Sequence, residues 1–97
     1  MNDVLEVRVE SLDDVVRVLT MATSTIEEHL DELDRRVAQL GADWSGAARE
    51  AYAHSQSRWR QEISVMMEAL ERAHEALARS RTRYARVEAL NASSWKL

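Results

Sequence analysis

The sequence predicts an all-α protein folded as an antiparallel helix-turn-helix hairpin. Two long stretches carry heptad periodicity, proline is absent, and both glycines lie in the short segment 41–46 that separates those stretches. Ala, Leu, Glu and Arg dominate the composition, as in long helices rather than sheets. We expect one domain with five parts: an extended arm at 1–10, a first helix at 11–40, a bend at 41–46, a second helix at 47–90 and a flexible tail at 91–97.

Length, charge and cysteine content argue against several classes of protein. A chain of 97 residues with only two helices leaves apolar faces that it cannot cover alone, so we expect association with a second chain. The net charge of −4 argues against nucleic-acid binding, because neutralising phosphates requires a basic surface. Cysteine is absent, so neither a disulfide nor a thiolate metal site is available, and we expect no cofactor.

The sequence contains neither a membrane-span pattern nor a leader pattern. No apolar run approaches the roughly 20 residues that a membrane span requires. Residues 1–3 do not resemble the start of a cleavable signal peptide. Any export is therefore expected to use a route without a cleaved leader.

Residues 4–10 alternate between apolar and charged side chains, which predicts the extended arm. Ser11 then resembles a helix N-cap, with Asp13 and Asp14 in the first turn, where the helix dipole favours acids.

The first helix carries a heptad repeat of apolar residues. Its two sets of positions are Leu12, Leu19, Ile26, Leu33 and Leu40, and Val16, Thr23, Leu30 and Val37. The acids that lie off the repeat are interpreted as a solvated or partner-facing surface: Glu27, Glu28, Asp31, Glu32 and Asp34.

The second helix carries a matching repeat. Its two sets are Tyr52, Trp59, Met66, Ala73, Ser80 and Val87, and Gln56, Ile63, Leu70, Leu77 and Tyr84. Closing the hairpin at 41–46 predicts that Arg58 and Arg60 face the acids around Asp31, and that Arg72 and Arg79 face Asp13 and Asp14. Because the second helix is longer, its last turns are expected to extend beyond the first helix.

The bend is unusual because it contains a tryptophan. Gly41 follows the last apolar position of the first helix, where a left-handed residue is cheapest as glycine. Gly46 is expected to let the chain approach the Trp44 ring, with Asp43 or Ser45 as the N-cap of the second helix. The indole should pack on the base of the hairpin or on a second chain, and its N–H should find a partner.

The central Trp44-Ser45-Gly46 and the later Tyr84-x-x-x-Glu88 together resemble the ESAT-like Trp-x-Gly (WXG, Esx) family of type VII secretion substrates, of the signal-bearing type. The resemblance covers nearly the whole chain. It implies that two hairpins pair as an antiparallel four-helix bundle, with a paralogous WXG-type partner chain. A heterodimer is favoured over a homodimer, since the polar members of the repeats indicate a specific partner: Thr23, Gln56 and Ser80.

The resemblance also implies roles for individual residues. Trp44 and Gly46 would shape the bend, and Tyr84 and Glu88 would form the export signal of a chain that leaves the cytoplasm folded and without a cleaved leader. The segment after the signal would dock on an FtsK/SpoIIIE-like secretion ATPase. Its apolar candidates are Val87, Leu90, Trp95 and Leu97.

The sequence also bears on three other functions. Enzymatic activity has little support, because His29, His54 and His74 do not form a metal-binding or catalytic pattern. A helical adaptor or chaperone that is never exported remains open. A membrane-permeabilising effector also remains open, although Trp59, Met66 and Met67 lie on or beside the heptad repeat and are more simply interpreted as core.

Overall fold

The computed structural model describes residues 2–94 of the chain, with side chains described for residues 4–93. Helix α1 spans Asn2–Ala38 and helix α2 spans Gly46–Ser94, joined by a single 3-10 turn at Gly41–Asp43. Residues 2–94 contain no strand. The predicted all-helical hairpin is confirmed.

The hairpin divides into two compact units, which we call the bend unit and the terminal unit. The bend unit comprises residues 20–69 and contains the turn; the terminal unit comprises the described residues up to 19 and those from 70 onward. Each unit pairs one stretch of α1 with one stretch of α2. Neither helix, over its described residues, is apolar enough for long enough to cross a membrane.

The extended arm predicted at 1–10 is wrong, because α1 already begins at Asn2 and Ser11 lies inside it rather than capping it. The reason is visible in the heptad repeat. Leu5 lies seven residues before Leu12, and Val9 lies seven before Val16, so both sets of apolar positions continue one heptad upstream. As a helix, this segment half-buries Val9.

The other boundaries shift by a few residues. Helix α1 ends at Ala38 rather than at residue 40, and α2 runs from Gly46 to Ser94 rather than from 47 to 90. Residues 91–94 are therefore helical and not part of a flexible tail. Residues 95–97 lie outside the described part of the chain.

Each helix buries mainly one of its two sets of heptad positions, although Tyr52 and Ala73 of the other set on α2 are half-buried. The inner columns, which are buried or half-buried, are Val16, Thr23, Leu30 and Val37 on α1, and Gln56, Ile63, Leu70, Leu77 and Tyr84 on α2. The outer columns remain exposed at Leu12, Leu19, Ile26, Leu33 and Leu40 on α1, and at Trp59, Met66 and Val87 on α2. Two helices cover only one stripe of each other, so each unit leaves an apolar face open to solvent.

Candidate functional site

The bend is built from three local devices. Gly41 has φ +57°, so the predicted left-handed glycine is confirmed, and the Asp43 N–H donates to the Leu40 carbonyl at 3.1 Å to close the 3-10 turn. Ser45 caps α2: its Oγ accepts the Ala48 N–H at 3.1 Å. The Arg49 guanidinium reaches back from α2 and donates to the Gly41 carbonyl. These bonds satisfy backbone groups that the helix ends would otherwise leave unpaired.

Trp44 packs on the start of α2. The backbone of Trp44 is extended, and its half-buried ring meets the Tyr52 ring edge to face, with centroids 5.6 Å apart and planes at 61°. The expected packing on the base of the hairpin is therefore found. The expected hydrogen bond is not: within the described residues the indole N–H has no partner.

Gly46 does not act as the sequence suggested. A Cβ built on Gly46 would meet no atom within 4 Å, and its φ is not in the left-handed region. The close approach to the Trp44 ring that we expected does not occur in this chain. Gly46 instead stands at the first position of α2, beside open space.

A polar cluster around Asp34 joins the two helices of the bend unit. The Tyr52 hydroxyl donates to Asp34 Oδ1 at 2.7 Å, and Arg60 Nη2 donates to Asp34 Oδ2 and to Asp31 Oδ1, both at 2.8 Å. The predicted pairing of Arg60 with Asp31 is confirmed, whereas Arg58 pairs with Glu62 on its own helix. The role of Asp34 was not predicted from the sequence, although its partners Tyr52 and Arg60 lie eight residues apart, on one face of α2.

The cluster shifts the proton affinities of its members. The hydrogen bond from Tyr52, the nearby Gln56 amide and the hydrogen bond from Arg60 lower the pKa of Asp34 below its ordinary value of 3.8. Burial, followed by the hydrogen bond to the Asp34 carboxylate, raises the pKa of Tyr52 to about 12. Asp34 is therefore ionised and Tyr52 neutral at neutral pH, which is the arrangement that their hydrogen bond requires.

Two polar members of the repeat lie inside the bend unit. Thr23 and Gln56 are buried, and Gln56 Nε2 donates to the Leu30 carbonyl at 3.0 Å while its Oε1 has no partner. These side chains face the interior of the hairpin. The expectation that they select a partner chain is therefore wrong. Of the three polar positions, only Ser80 is exposed.

In the terminal unit, α2 presents the two residues of the candidate signal. Tyr84 is half-buried and Glu88 is exposed, and the Tyr84 hydroxyl donates to Glu88 Oε1 at 3.3 Å. Helix α2 continues unbroken past both residues to Ser94. One helical turn thus holds the phenol and the carboxylate on the same face.

A buried carboxylate joins α1 to α2 one turn before Tyr84. The Asp13 carboxylate accepts hydrogen bonds from Arg81 on α2 and Arg17 on α1, both at 3.1 Å, and lies 3.7 Å from His74 Nδ1. The prediction that Arg72 and Arg79 would face this acid is wrong. Arg81 takes this position because it lies between Leu77 and Tyr84 of the inner column, on the side of α2 that faces α1.

The structure describes two of the four apolar residues that are predicted to dock on an ATPase. Val87 and Leu90 are 48% and 65% exposed on the last turns of α2. Trp95 and Leu97 lie outside the described residues. In the described part of the chain, no group of three or more His, Cys, Asp or Glu residues is placed to hold a metal ion.

Comparison with known protein families identifies the chain. A family model described as proteins of 100 residues with WXG (WXG100) matches residues 4–89. The chain belongs to the WXG100 family. WXG100 proteins are helical hairpins that are not enzymatic in kind, generally form dimers with partners and include the secreted substrates of type VII secretion systems. No curated protein and no solved structure matches this chain.

Proposed function

We propose that this WXG100 chain is a secreted substrate of a type VII secretion system, and that an FtsK/SpoIIIE-like ATPase recognises it through Tyr84 and Glu88. The observation that carries the proposal is the pairing of these side chains at 3.3 Å on one face of an intact helix. The phenol is half-buried and the carboxylate is exposed, so a receptor can contact both without unfolding α2. In this proposal the chain is cytoplasmic before export and leaves the cell by the type VII route.

The exported species in this proposal is a folded dimer in the form of a four-helix bundle. The outer columns support it, because large apolar side chains such as Leu19, Ile26, Trp59 and Met66 are more than 40% exposed in the single chain. A second hairpin of the WXG type would cover them. The proposal favours a paralogous partner because WXG100 proteins generally form dimers with partners. The buried Thr23 and Gln56 do not support this choice.

Val87 and Leu90 are proposed as the apolar contacts with the ATPase. Both follow Tyr84 on the same helix and stand exposed there. Trp95 and Leu97 are proposed for the same role from the sequence alone.

Export assays with matched variants test the proposal. Tyr84→Ala combined with Glu88→Ala should abolish appearance in the culture medium and leave the dimer intact. The control is Arg58→Ala with Glu62→Ala, which removes another exposed pair spaced four residues apart on the same helix. The control variant should be exported normally.

Two results would overturn the proposal. Loss of the dimer in the Tyr84 variant would make Tyr84 a packing residue. Unchanged export would show that Tyr84 and Glu88 are not the signal, and a wild-type chain that never reaches the medium would be a cytoplasmic adaptor or chaperone. Light scattering on the purified chain, alone and co-expressed with its genetic neighbour, separates a homodimer from a heterodimer.

The exposure of Trp59 and Met66 keeps a membrane-permeabilising effector as a second candidate. The sequence analysis interpreted both as core, but in the single chain they are 42% and 48% exposed. If they cover a partner chain, the dimer should not release dye from neutral or acidic liposomes. Leakage that is lost in Trp59→Ala would favour the effector.

A further inference from the structure

A groove in the terminal unit borders the candidate signal and is lined by both helices. From α1 come Glu6, Val9 and Glu10, and from α2 come Tyr84, Ala85 and Glu88. The α1 residues belong to neither sequence motif, and they reach this position because α1 starts at Asn2 instead of after an extended arm.

The groove combines an apolar lining with an acidic rim. Val9, Ala85 and the Tyr84 ring supply the apolar surface, while three carboxylates surround it. Neither Glu6 nor Glu10 takes part in an ion pair within the described residues. These two carboxylates therefore remain available to a partner, while Glu88 accepts the hydrogen bond from Tyr84.

The single cation in the groove lining is already neutralised. Arg81 also lines the groove, but its guanidinium donates to the buried Asp13 carboxylate at 3.1 Å. This pair leaves the groove with a net negative charge. It also ties α2 to α1 three residues before Tyr84.

We propose that this two-helix groove, rather than Tyr84 and Glu88 alone, is the recognition surface, and that it takes an arginine or lysine side chain of the receptor. The inference rests on the proposed function. An aliphatic stem fits the apolar lining, and carboxylates bind its charged end through charge-assisted hydrogen bonds. The ring of Tyr84 adds an electron-rich face that attracts cations. Glu6 and Glu10 are then specificity-determining residues, and Asp13 is a positioning residue.

Affinity measurements on the intact dimer test this assignment. The probe is the substrate-binding region of an FtsK/SpoIIIE-like secretion ATPase from the same organism, and the test variant is Glu6→Gln with Glu10→Gln, which removes charge and keeps shape. We expect its dissociation constant to rise about tenfold or more, in keeping with the loss of charge-assisted hydrogen bonds. The affinity of this variant should also depend less on salt than that of the wild type.

The matched control is Glu27→Gln with Glu28→Gln, an identical charge change at two exposed positions of α1 in the bend unit. Its affinity should equal that of the wild type. Circular dichroism and dimer mass should match the wild type for both variants, and Glu10→Gln alone replaces the double variant if these change.

The outcomes separate this inference from the proposed function. If Tyr84→Ala abolishes binding while the Glu6 and Glu10 variant matches its control, the groove assignment is overturned and the signal stands. An equal loss in both glutamine variants would show nonspecific attraction and also overturn it. If Tyr84→Ala also binds normally, both the proposed function and the groove assignment are overturned.

Discussion

The bend unit and the terminal unit hold α1 and α2 together with different chemistry. In the bend unit, Tyr52, Gln56 and Arg60 reach α1 from successive turns of α2, and the acid that receives two of them, Asp34, is 42% exposed at its side chain. In the terminal unit, Arg81 of α2 pairs with Asp13 of α1, whose side chain is 11% exposed.

The difference indicates a division of tasks. Several neutral and ionic bonds, together with an aromatic pair and a left-handed glycine, specify how the bend unit closes. In the terminal unit, a buried carboxylate with cationic partners joins the two helices, and the same unit carries the candidate signal. The structure therefore suggests that the bend unit sets the pairing of the helices and that the terminal unit presents a surface. Variants can break or sharpen this contrast.

The largest effects should come from Leu30 and Leu70, which are buried leucines in the bend unit and the terminal unit. Leu30 in the bend unit and Leu70 in the terminal unit are 8% and 6% exposed, so Leu30→Ala and Leu70→Ala should each cost about 3 kcal/mol of unfolding free energy. Hydrogen exchange on the dimer should show the bend-unit amides opening first for Leu30→Ala and the terminal-unit amides for Leu70→Ala. A uniform rise in exchange would mean that the two units unfold as one.

Trp44→Ala should cost about 2 kcal/mol, less than a fully buried tryptophan, because the ring is half-buried and loses its edge-to-face contact with Tyr52. Urea unfolding of the dimer measures this. Trp59→Ala is the control: its exposed ring lies on an outer column, so it should weaken dimer formation more than the hairpin. The reverse pattern would place Trp44 in the partner interface.

Asp13→Asn should destabilise the hairpin by about 1 to 2 kcal/mol, because it removes charge-assisted hydrogen bonds to Arg17 and Arg81 at a buried site. Asp34→Asn should cost less, since water screens its more exposed carboxylate. Chemical denaturation at neutral pH compares the two. A larger loss for Asp34→Asn would show that the bend unit depends on its charge more than burial indicates.

The two glycines should respond in opposite directions. Gly41→Ala should cost about 1 kcal/mol because its φ of +57° strains any residue with a Cβ. Gly46→Ala should stabilise the hairpin by up to about 0.5 kcal/mol, because open space surrounds the new methyl group. Thermal melts of both variants measure this, and a dimer weakened by Gly46→Ala would show that a partner fills that space.

The smallest effect should be a pH dependence confined to the bend unit. The folded-state pKa of Tyr52 is raised from 10.0 to about 12, so its stabilisation is complete below pH 10 and is lost as the pH rises toward 12. Tyr52→Phe should be less stable at pH 8 and should lose less stability between pH 10 and 12. Urea midpoints of both proteins across that pH range test this. If the two sets of midpoints fall in parallel, the Tyr52 to Asp34 hydrogen bond is not the cause of the pH dependence.

The sequence predicted the hairpin and much of the bend because these features depend on local chemistry. Heptad spacing marks the helices, Gly41 provides the left-handed residue and Ser45 the cap. The role of Gly46 was not predictable in this way, since its surroundings depend on how the whole bend folds.

Features that depend on the relation between the helices were harder to predict. Alternation over residues 4–10 favoured a strand, although Leu5 and Val9 extended the heptads of a helix. The choice of Arg81 over Arg72 or Arg79 depends on a rotation of α2 that charge counting does not specify. The two-helix groove could not be predicted either, because its α1 side is formed by residues 4–10 as a helix and their alternation predicts an extended arm.

The exposed outer columns have a consequence for how the cell produces this protein. A copy made in excess of its partner presents Leu19, Ile26 and Trp59 to water, and such surfaces promote aggregation and attract proteases. We expect the two chains of a dimer to be synthesised in matched amounts, with surplus copies degraded. Quality control would then set the ratio of the partners before any export step.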